Sequence, residues 1–430
     1  MRKMIKMSMA AVMVMGVSSV SVQANDILTN IKADGQVRAR YEMVDAKDTG
    51  ANPKGNANAF TNRLSLGVGA DLMGTSWLSA YVQMTDVRSL NGNYNDASGD
   101  NGTEWHDVVA DAEQTRLTQA YIDMKYGKTK FRVGRQAINL DNIRFVGTVD
   151  WRQMPQTFDA YTITDNTIEN LNLFASYVTQ VNRVFADDTQ APAATPPMNT
   201  ATADTRTLLL NASYKVMPEL KVTVYDYMIS AGTAMHATGS DTYGIALTGE
   251  VKVAEAAKLT YRAEYAEQSD ASMENSGVNS TADVDANYMN FQLCADVSGI
   301  LAGVQYEVLS GTNGTDNKTT FQTPLATLHA HNGFADMFLV TPAAGLEDLS
   351  MSLGYKSKEF GMLKATYHDY TAETSSVDYG TELDVTYARA IPGVNNLSGM
   401  LKVADFDTDT AAYVDTTKFW AMLDYKFATK

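Results

Sequence analysis

Apolar and polar residues alternate with a period of two along most of the chain from residue 35 onward. In residues 35–45, for example, Val37, Ala39 and Tyr41 fall on one side, and Arg38 falls with the polar residues on the other. This periodicity is typical of a β-strand whose two faces meet different surroundings. Tyrosines lie near the ends of several apolar faces, as in the aromatic belts at a lipid–water boundary.

The alternation predicts 18 strands joined by connections of two kinds. The predicted strands span approximately residues 35–45, 60–73, 76–89, 113–126, 129–136, 157–164, 170–181, 205–216, 219–231, 240–252, 257–267, 286–296, 299–310, 348–357, 360–371, 380–391, 395–406 and 417–427. Tight turns such as Gly74-Thr75 and Gly127-Lys128 alternate with long polar loops such as 90–112 and 311–347. Short turns at one rim and long loops at the other are typical of an outer-membrane barrel.

We therefore expect an all-β protein, a transmembrane antiparallel β-barrel of about 18 strands with short periplasmic turns and long extracellular loops. An even strand count places both chain ends at the short-turn rim, so we interpret residues 311–347 as one loop without a strand. A closed barrel is the only β structure that satisfies every backbone hydrogen-bonding group inside lipid.

The first residues of the chain have the pattern of an export signal. Arg2, Lys3 and Lys6 precede an apolar run, and Val22-Gln23-Ala24 fits the small-residue rule for signal cleavage. We expect residues 1–24 to be the signal peptide and residues 25–430 to form the barrel. The predicted location is the outer membrane of a Gram-negative bacterium.

The partners expected for such a barrel are the lipid and lipopolysaccharide of the membrane. The last strand ends in Tyr425-Lys426-Phe427, which resembles the aromatic-x-aromatic ending that barrel-assembly machinery uses. Three residues follow the final aromatic, which is a departure from that pattern. We expect contact with this machinery during biogenesis.

Composition excludes several other classes of protein. The formal net charge of −16 and the isoelectric point of about 4.7 argue against nucleic acid as a partner. One cysteine, Cys294, excludes a disulfide scaffold and a cysteine-based zinc site. Beyond the first 24 residues, no apolar run approaches the roughly 18 residues that a spanning helix needs.

Arginines are concentrated in the first third of the chain, where nine of the 13 that follow residue 24 precede residue 153. Arg38, Arg40 and Arg63 fall on the polar face of their strands, and Arg132 is opposed to its apolar neighbours. The lumen of an 18-stranded barrel is too wide for side chains to fill. Arginines lining it would select anions. Alternatively, they pair with the abundant acidic residues and stiffen the wall.

Two blocks of sequence resemble the alginate-export family of outer-membrane barrels. The first contains Gly134-Arg135-Gln136, Asp141-Asn142-Ile143-Arg144-Phe145, Gly147, Trp151-Arg152-Gln153 and Phe158-Asp159. The second runs from Leu328-His329-Ala330-His331-Asn332-Gly333-Phe334 through Ala335-Asp336-Met337-Phe338 to Thr341-Pro342 and Gly345-Leu346. The resemblance implies an 18-stranded barrel and the passage of an anionic or sugar-like solute. It does not identify alginate as that solute.

The resemblance also implies a position for part of the first block. Arg135, Gln136, Asp141, Arg144 and Arg152 would lie at or beside the constriction. With Arg38, Arg40, Arg63, Arg116 and Arg132 they form the predicted set of channel-lining residues. The alternation contradicts this for Arg135, which falls in phase with the apolar residues, unless the strand bends or ends at Gly134.

Other chemistry has weak support in the sequence. His329 and His331 are a possible transition-metal pair, although solvated loop histidines are commoner. The oxygen-rich residues 91–100 could bind calcium, but their spacing does not match an EF-hand loop, and a solvated loop is the alternative. His368-Asp369 has no serine in a nucleophile context beside it. We expect neither enzymatic activity nor a cofactor.

The pattern as a whole predicts a porin that gives small hydrophilic, anionic or sugar-like solutes diffusive passage through an arginine-lined pore. The alternative is a surface-exposed structural or adhesive barrel whose lumen is plugged.

Overall fold

The structure is a computed structural model that describes residues 27–47, 54–98, 105–186, 200–230, 239–272, 283–312 and 318–429. The expected signal peptide, residues 1–24, lies outside these residues. No α-helix in the described part is both long and apolar enough to cross a membrane.

The described residues form 18 strands, as the alternation predicted. They are β1 (Leu28–Ala46), β2 (Ala57–Leu72), β3 (Leu78–Ser89), β4 (Gln114–Tyr126), β5 (Thr129–Gln136), β6 (Thr157–Asp165), β7 (Leu171–Asn182), β8 (Thr202–Met217), β9 (Leu220–Ile229), β10 (Ser240–Ala254), β11 (Ala257–Asp270), β12 (Asp285–Val297), β13 (Ile300–Leu309), β14 (Leu346–Ser357), β15 (Gly361–Thr371), β16 (Asp378–Ala390), β17 (Leu397–Thr408) and β18 (Thr416–Ala428). The largest difference from the prediction is at β1, which begins seven residues earlier, at Leu28.

The sheet closes on itself. Each strand pairs antiparallel with its neighbours in sequence, and β1 pairs with both β2 and β18. The closing ladder runs from Asp34, opposite Ala428, to Ala46, opposite Thr416. A closed sheet has no edge strand, so every strand is hydrogen-bonded on both sides. The predicted antiparallel barrel of 18 strands is confirmed.

Connections differ between the two rims, also as predicted. The turn between β4 and β5 is Gly127-Lys128, and Gly127 has φ +59°, a conformation that glycine adopts without steric cost. Leu28 at the start of β1 lies opposite Leu72 at the end of β2, just before another short turn. Both described ends of the barrel therefore lie at the short-turn rim, and the long connections lie at the opposite rim.

The two faces of the sheet have different chemistry. On β13, Val304 points outward between Leu293 and Met351, and all three are exposed hydrophobic residues. The adjacent Gln305 points inward, beside Gln292 of β12. Apolar side chains thus face lipid and polar side chains face the lumen, as in other membrane barrels.

Two long connections fold into the lumen. We call residues 137–156, between β5 and β6, loop A, and residues 318–345, between β13 and β14, loop B. Loop B contains a short 3₁₀ helix, Leu328–Ala330, and no strand, as predicted. Phe145 of loop A packs edge-on against Tyr288 of the wall, with ring centroids 5.2 Å apart, and near Phe321 at 5.9 Å. The largest cluster of buried apolar residues therefore includes residues of both loops and lies inside the barrel.

A single outward substitution tests which face meets lipid. Val304→Arg places a charge at the middle of β13 on the apolar face, and such a charge costs about 2–4 kcal/mol at the bilayer midplane. Urea titration of the barrel folded in liposomes measures the free energy of unfolding. The matched control is Gln305→Arg, one residue along on the lumenal face, which we expect to change this energy little. Equal losses for both variants would contradict the assignment of faces.

Candidate channel constriction

Loop A is attached to the inner wall near β1, β2 and β18 by arginines. Asp150 of loop A accepts a hydrogen bond of 2.5 Å from Arg63 on β2. Its backbone carbonyl accepts one of 2.7 Å from Arg38 on β1. The guanidinium of Arg38 also lies 3.3 Å from Asp424 on β18. Arg38 and Arg63 face the lumen as predicted, and carboxylates neutralise both.

Arg40 is the most enclosed of these arginines, with no exposed surface. It pairs with Asp111, from the connection between β3 and β4, and lies 3.3 Å from Glu42. Its guanidinium also lies 5.1 Å from the centre of the Trp151 ring. A buried ion pair is costly to break, because the remaining partner stays desolvated without a counter-charge. Arg40 therefore links the barrel wall to the connection between β3 and β4 and to loop A.

Loops A and B are joined to each other. Gly147 of loop A donates its N–H to the carbonyl of Leu325 at 2.8 Å, and a side chain at this glycine would start 2.2 Å from the hydroxyl of Thr327. Arg144 donates to Asn332 at 2.9 Å. It also lies 3.1 Å from Glu307 on β13. The two blocks that carry the family resemblance are thus largely the two lumenal loops.

Arg152 links three parts of the molecule. Its guanidinium lies 3.1 Å from Glu42 of β1 and 3.3 Å from Asp336 of loop B. Burial alone would lower the pKa of Arg152, but the charges of Glu42 and Asp336 outweigh it and raise the pKa above its ordinary value. Arg152 therefore remains a cation where the two loops meet.

The other predicted lining residues are dispersed. Arg116 donates to the backbone carbonyls of Arg183 and Phe185. Arg132 is on the lumenal face, paired with Asp123 at 2.6 Å and lying over the Tyr121 ring. Gln136 donates to two backbone carbonyls of the wall, at 3.0 and 3.1 Å, and Asp141 accepts from Asn211 at 2.8 Å.

Arg135 does not join the lumenal set. Gly134 has φ +121°, but the ladder continues through it, and Arg135 remains paired in register with Ala120 and Asp159. Its guanidinium forms two hydrogen bonds with the Asp159 carboxylate, at 2.7 and 2.9 Å, on the outward-facing side. The position implied by the family resemblance is wrong for Arg135, because the glycine neither ends the strand nor reverses its alternation.

Loop B attaches to β16, β17 and β18. The backbone N–H groups of Phe334 and Ala335 donate to Asp384 and Glu382 at 3.2 and 2.7 Å. Lys402 on β17 lies 3.1 Å from Nε2 of His329, and its ammonium lies 3.4 Å from the centre of the Phe334 ring. The Trp151 ring of loop A stacks on His329, with centroids 4.3 Å apart. The expectation that His329 is a solvated loop residue is wrong, because these rings bury it.

The tautomer of His329 follows from its partners. An ammonium only donates hydrogen bonds, so Nε2 of His329 must accept from Lys402. Nδ1 then carries the proton and donates it to Asp336 at 2.7 Å. Burial lowers the pKa of His329 to about 3, so the ring is neutral at pH 7.

Two cavities lie on either side of part of loop B, residues 328–334, which we call the septum. The outer cavity, of about 450 Å³, is on the long-loop side, and its lining includes Val108, Arg152, Phe185, His329, Asp336 and Lys418. The inner cavity, of about 170 Å³, lies against β12–β16, and its lining includes Gln292, Gln305, Ser352, Lys364, Thr366 and His368. Leu328 and His329 of the septum line the outer cavity, and residues 330–334 line the inner one.

Sequence reasoning missed the cations of β15, β17 and β18. Lys364, Lys402 and Lys418 all face the lumen, and their strands alternate, so their phase could have identified them. The predicted lining residues came from the arginine-rich first third of the chain, whereas these lysines lie in the last third. The contacts of Lys402 with His329 and of Lys418 with Asp336 have no signal in the sequence, because loop B is distant from both lysines along the chain.

Metal binding gains no geometric support. Among the described residues, no group of three or more His, Cys, Asp or Glu side chains is arranged to hold a metal ion. The possible calcium loop, residues 91–100, extends beyond residue 98 into residues outside the described part.

Removing one buried cation tests the attachment of the loops. Arg40→Leu leaves Asp111 buried without its paired cation, and we expect a loss of about 3–5 kcal/mol in the free energy of unfolding. Urea titration in liposomes measures it. Lys47→Met removes the exposed ion pair with Asp415 and should leave the free energy of unfolding nearly unchanged. Comparable losses in the free energy of unfolding for the two variants would contradict the conclusion that the Arg40 ion pair holds these connections to the wall.

Lowering the pH should destabilise the packed loops, because two histidines of loop B are buried in the neutral form. Burial lowers the pKa values of His329 and His331 to about 3. The unfolded chain binds protons at these sites below about pH 6.5, whereas the folded chain does not until about pH 3. The free energy of unfolding should therefore decrease as the pH is lowered through this window, by about 1.4 kcal/mol per pH unit for each histidine. Denaturant titrations at pH 4.5 and 7.5 measure the slope. His331→Gln should reduce it, and an unchanged slope would refute this linkage.

A known protein family matches a large part of the chain. Residues 30–269, more than half of the chain, match the model of the alginate-export family. This range includes loop A and ends before loop B. No curated protein sequence matches the chain.

Solved structures share the fold at low sequence identity. OccAB4 of Acinetobacter baumannii is 14% identical, with 94% of this chain and 100% of that chain covered and a TM-score of 0.68. OpdK of Pseudomonas aeruginosa, solved with vanillate, is 13% identical, with 94% and 100% covered and a TM-score of 0.69. OccK8 (OprE) of Pseudomonas aeruginosa is 14% identical, with 94% and 100% covered and a TM-score of 0.67. The chain belongs to the alginate-export family, and it is an 18-stranded, porin-like β-barrel of the Gram-negative outer membrane.

Proposed function

We propose that the protein is a channel through which small hydrophilic anions diffuse across the outer membrane. The observation that carries the proposal is the pair of lumenal cavities, each with cationic side chains in its lining. Arg152 and Lys418 line the outer cavity, and Lys364 lines the inner one. Fixed charges inside a pore favour ions of the opposite sign.

The inner cavity has the chemistry of a passage for hydroxylated solutes. Gln292, Gln305, Ser352 and Thr366 offer amide and hydroxyl groups that exchange hydrogen bonds with a solute. Lys364 is exposed and supplies a positive charge beside them. This combination supports passage of sugar acids and other small carboxylates.

Arg38, Arg40 and Arg63 were expected to select anions, but in this proposal other cations do so. Each of these three arginines is at most 5% exposed and lies against a carboxylate. A neutralised, buried guanidinium contributes little field to a passing ion. The interpretation that these arginines stiffen the wall therefore fits them better, and the exposed Lys364 of the inner cavity takes the selective role.

Passage requires the septum to move. Side chains and single backbone N–H groups hold it to the wall, and no strand ladder includes it. OpdK was solved with vanillate, and the outer cavity of this chain, of about 450 Å³, has room for a small solute of that kind.

The alternative is a surface-exposed structural or adhesive barrel with a plugged lumen. The septum favours it, because these residues of loop B lie between the outer and inner cavities. Recordings in planar bilayers separate the two functions. Stepwise ohmic conductance supports the channel, and silence from correctly folded protein supports the plugged barrel.

Lys364 provides a test of anion preference. In a potassium chloride gradient, we expect the unmodified protein to give a reversal potential of anionic sign. Lys364→Gln removes an exposed lumenal charge and should lower the anion-to-cation permeability ratio by about twofold, since a single charge acts within roughly a Debye length. Bilayer recordings measure both values.

The matched control is Lys356→Gln. Lys356 on β14 is already paired with Asp296 at 2.6 Å, near the short-turn rim, so the permeability ratio should stay unchanged. Cation selectivity of the unmodified channel would overturn the anion preference while leaving the channel itself intact.

A further inference from the structure

The carboxylate of Asp336 occupies an anion-binding position at the base of the outer cavity. Its Oδ2 accepts hydrogen bonds from Lys418 at 3.0 Å and Arg152 at 3.3 Å, and its Oδ1 accepts one from His329 at 2.7 Å. Only 4% of this side chain is exposed. Burial opposes ionisation, yet the hydrogen bond from His329 and the charges of Lys418 and Arg152 hold the pKa of Asp336 well below its ordinary value.

The three donors belong to different elements from one another. Lys418 is on strand β18, Arg152 is on loop A, and His329 is on loop B with Asp336 itself. Lys418 is held by the barrel ladder, whereas Asp336 is held by a loop. The backbone of Asp336 has φ +60°, a conformation that costs a residue with a side chain about 1 kcal/mol or more. Lys418 is therefore better fixed than the carboxylate that it binds.

The walls above this position are mostly apolar. They include Val108, Val149, Val184, Phe185, Leu328 and Leu339. Val108 and Leu339 are 43% and 44% exposed, so part of this apolar lining is accessible from solvent. A cavity with apolar walls and a cationic base is complementary to a molecule with an apolar body and one carboxylate.

We propose that Asp336 is a tethered stand-in for the carboxylate of a solute, and that the outer cavity binds small carboxylates with an apolar body in its place. The exchange conserves charge, because one carboxylate replaces another on Lys418 and Arg152, so no buried cation is left without a partner. Burial of the apolar body against the walls favours the solute. The released Asp336 carries the adjacent septum away from the wall.

This inference rests on the proposed channel function, because it specifies the solute and how the septum is released. Its test measures binding, so the two can fail separately. If benzoate binds as described but bilayers show no conductance, the channel fails and the binding site stands. If conductance is normal but benzoate does not bind, the opposite holds.

The probe is benzoate, titrated calorimetrically into the full mature chain in detergent micelles. A tethered carboxylate competes at a high effective concentration, on the order of millimolar or more. Asp336→Asn removes this competitor, so benzoate should bind at least tenfold more tightly than to the unmodified protein. Lys418→Gln should abolish the binding.

The control for net charge is Asp150→Asn, which removes a lumenal carboxylate that pairs with Arg38 and Arg63 outside the cavity. It should leave benzoate affinity unchanged. If Asp336→Asn and Asp150→Asn tighten binding equally, a general charge effect accounts for the result and the stand-in role is overturned.

The apolar walls are tested without disturbing the ion pairs. Leu339→Ser alters an exposed residue, so the variant should fold, and it should weaken benzoate binding severalfold. Glucuronate has the same charge and a hydroxylated body, and it should bind the unmodified protein at least tenfold more weakly than benzoate. Equal affinities for benzoate and glucuronate would overturn the proposed solute class, even if Asp336→Asn fails to fold.

Discussion

The ladder between β1 and β18 is the constraint on which the rest of this structure depends. It satisfies the backbone of the first and last strands at once, and inside lipid an open edge would leave those groups without partners. Closing 18 strands also sets the width of the lumen, which strand side chains alone cannot fill. Loops A and B occupy that space. The constriction is therefore a consequence of strand number, and the chain forms it from connections between strands.

Placing loops inside a barrel creates an energetic problem that charged side chains solve. Loop backbone and ionised groups lose water when they pack in the lumen, and they need compensating partners. Asp150, Arg152 and Asp336 each meet an opposite charge on the wall. Opposite charges thus hold the loops against the wall, and this explains why so many lumenal arginines are neutralised. Lys364, which lines the inner cavity, differs from these loop-holding cations in its accessibility.

Aromatic rings add a second kind of contact at the same place. His329, Trp151 and Phe334 lie in a stack that brackets the ammonium of Lys402. Cations attract the faces of aromatic rings, most strongly where water is excluded. The stack joins a residue of loop A to two of loop B, so movement of either loop disturbs the other. The proposed binding in the outer cavity would reach the septum through this shared contact.

The number, order and approximate ends of the strands could be read from the sequence, because the period of two reports directly which side chains meet lipid. The same alternation correctly placed Arg38, Arg40 and Arg63 inward and Arg135 outward, where the family resemblance misplaced Arg135. The partners of these arginines could not be read, because Asp111, Asp150 and Asp424 approach them only when the sheet closes and loop A enters it. The pairing of Asp336 with Lys418 likewise joins residues 82 positions apart. Local periodicity determines the faces of a strand, whereas contacts across a lumen depend on the closed curvature of the whole sheet.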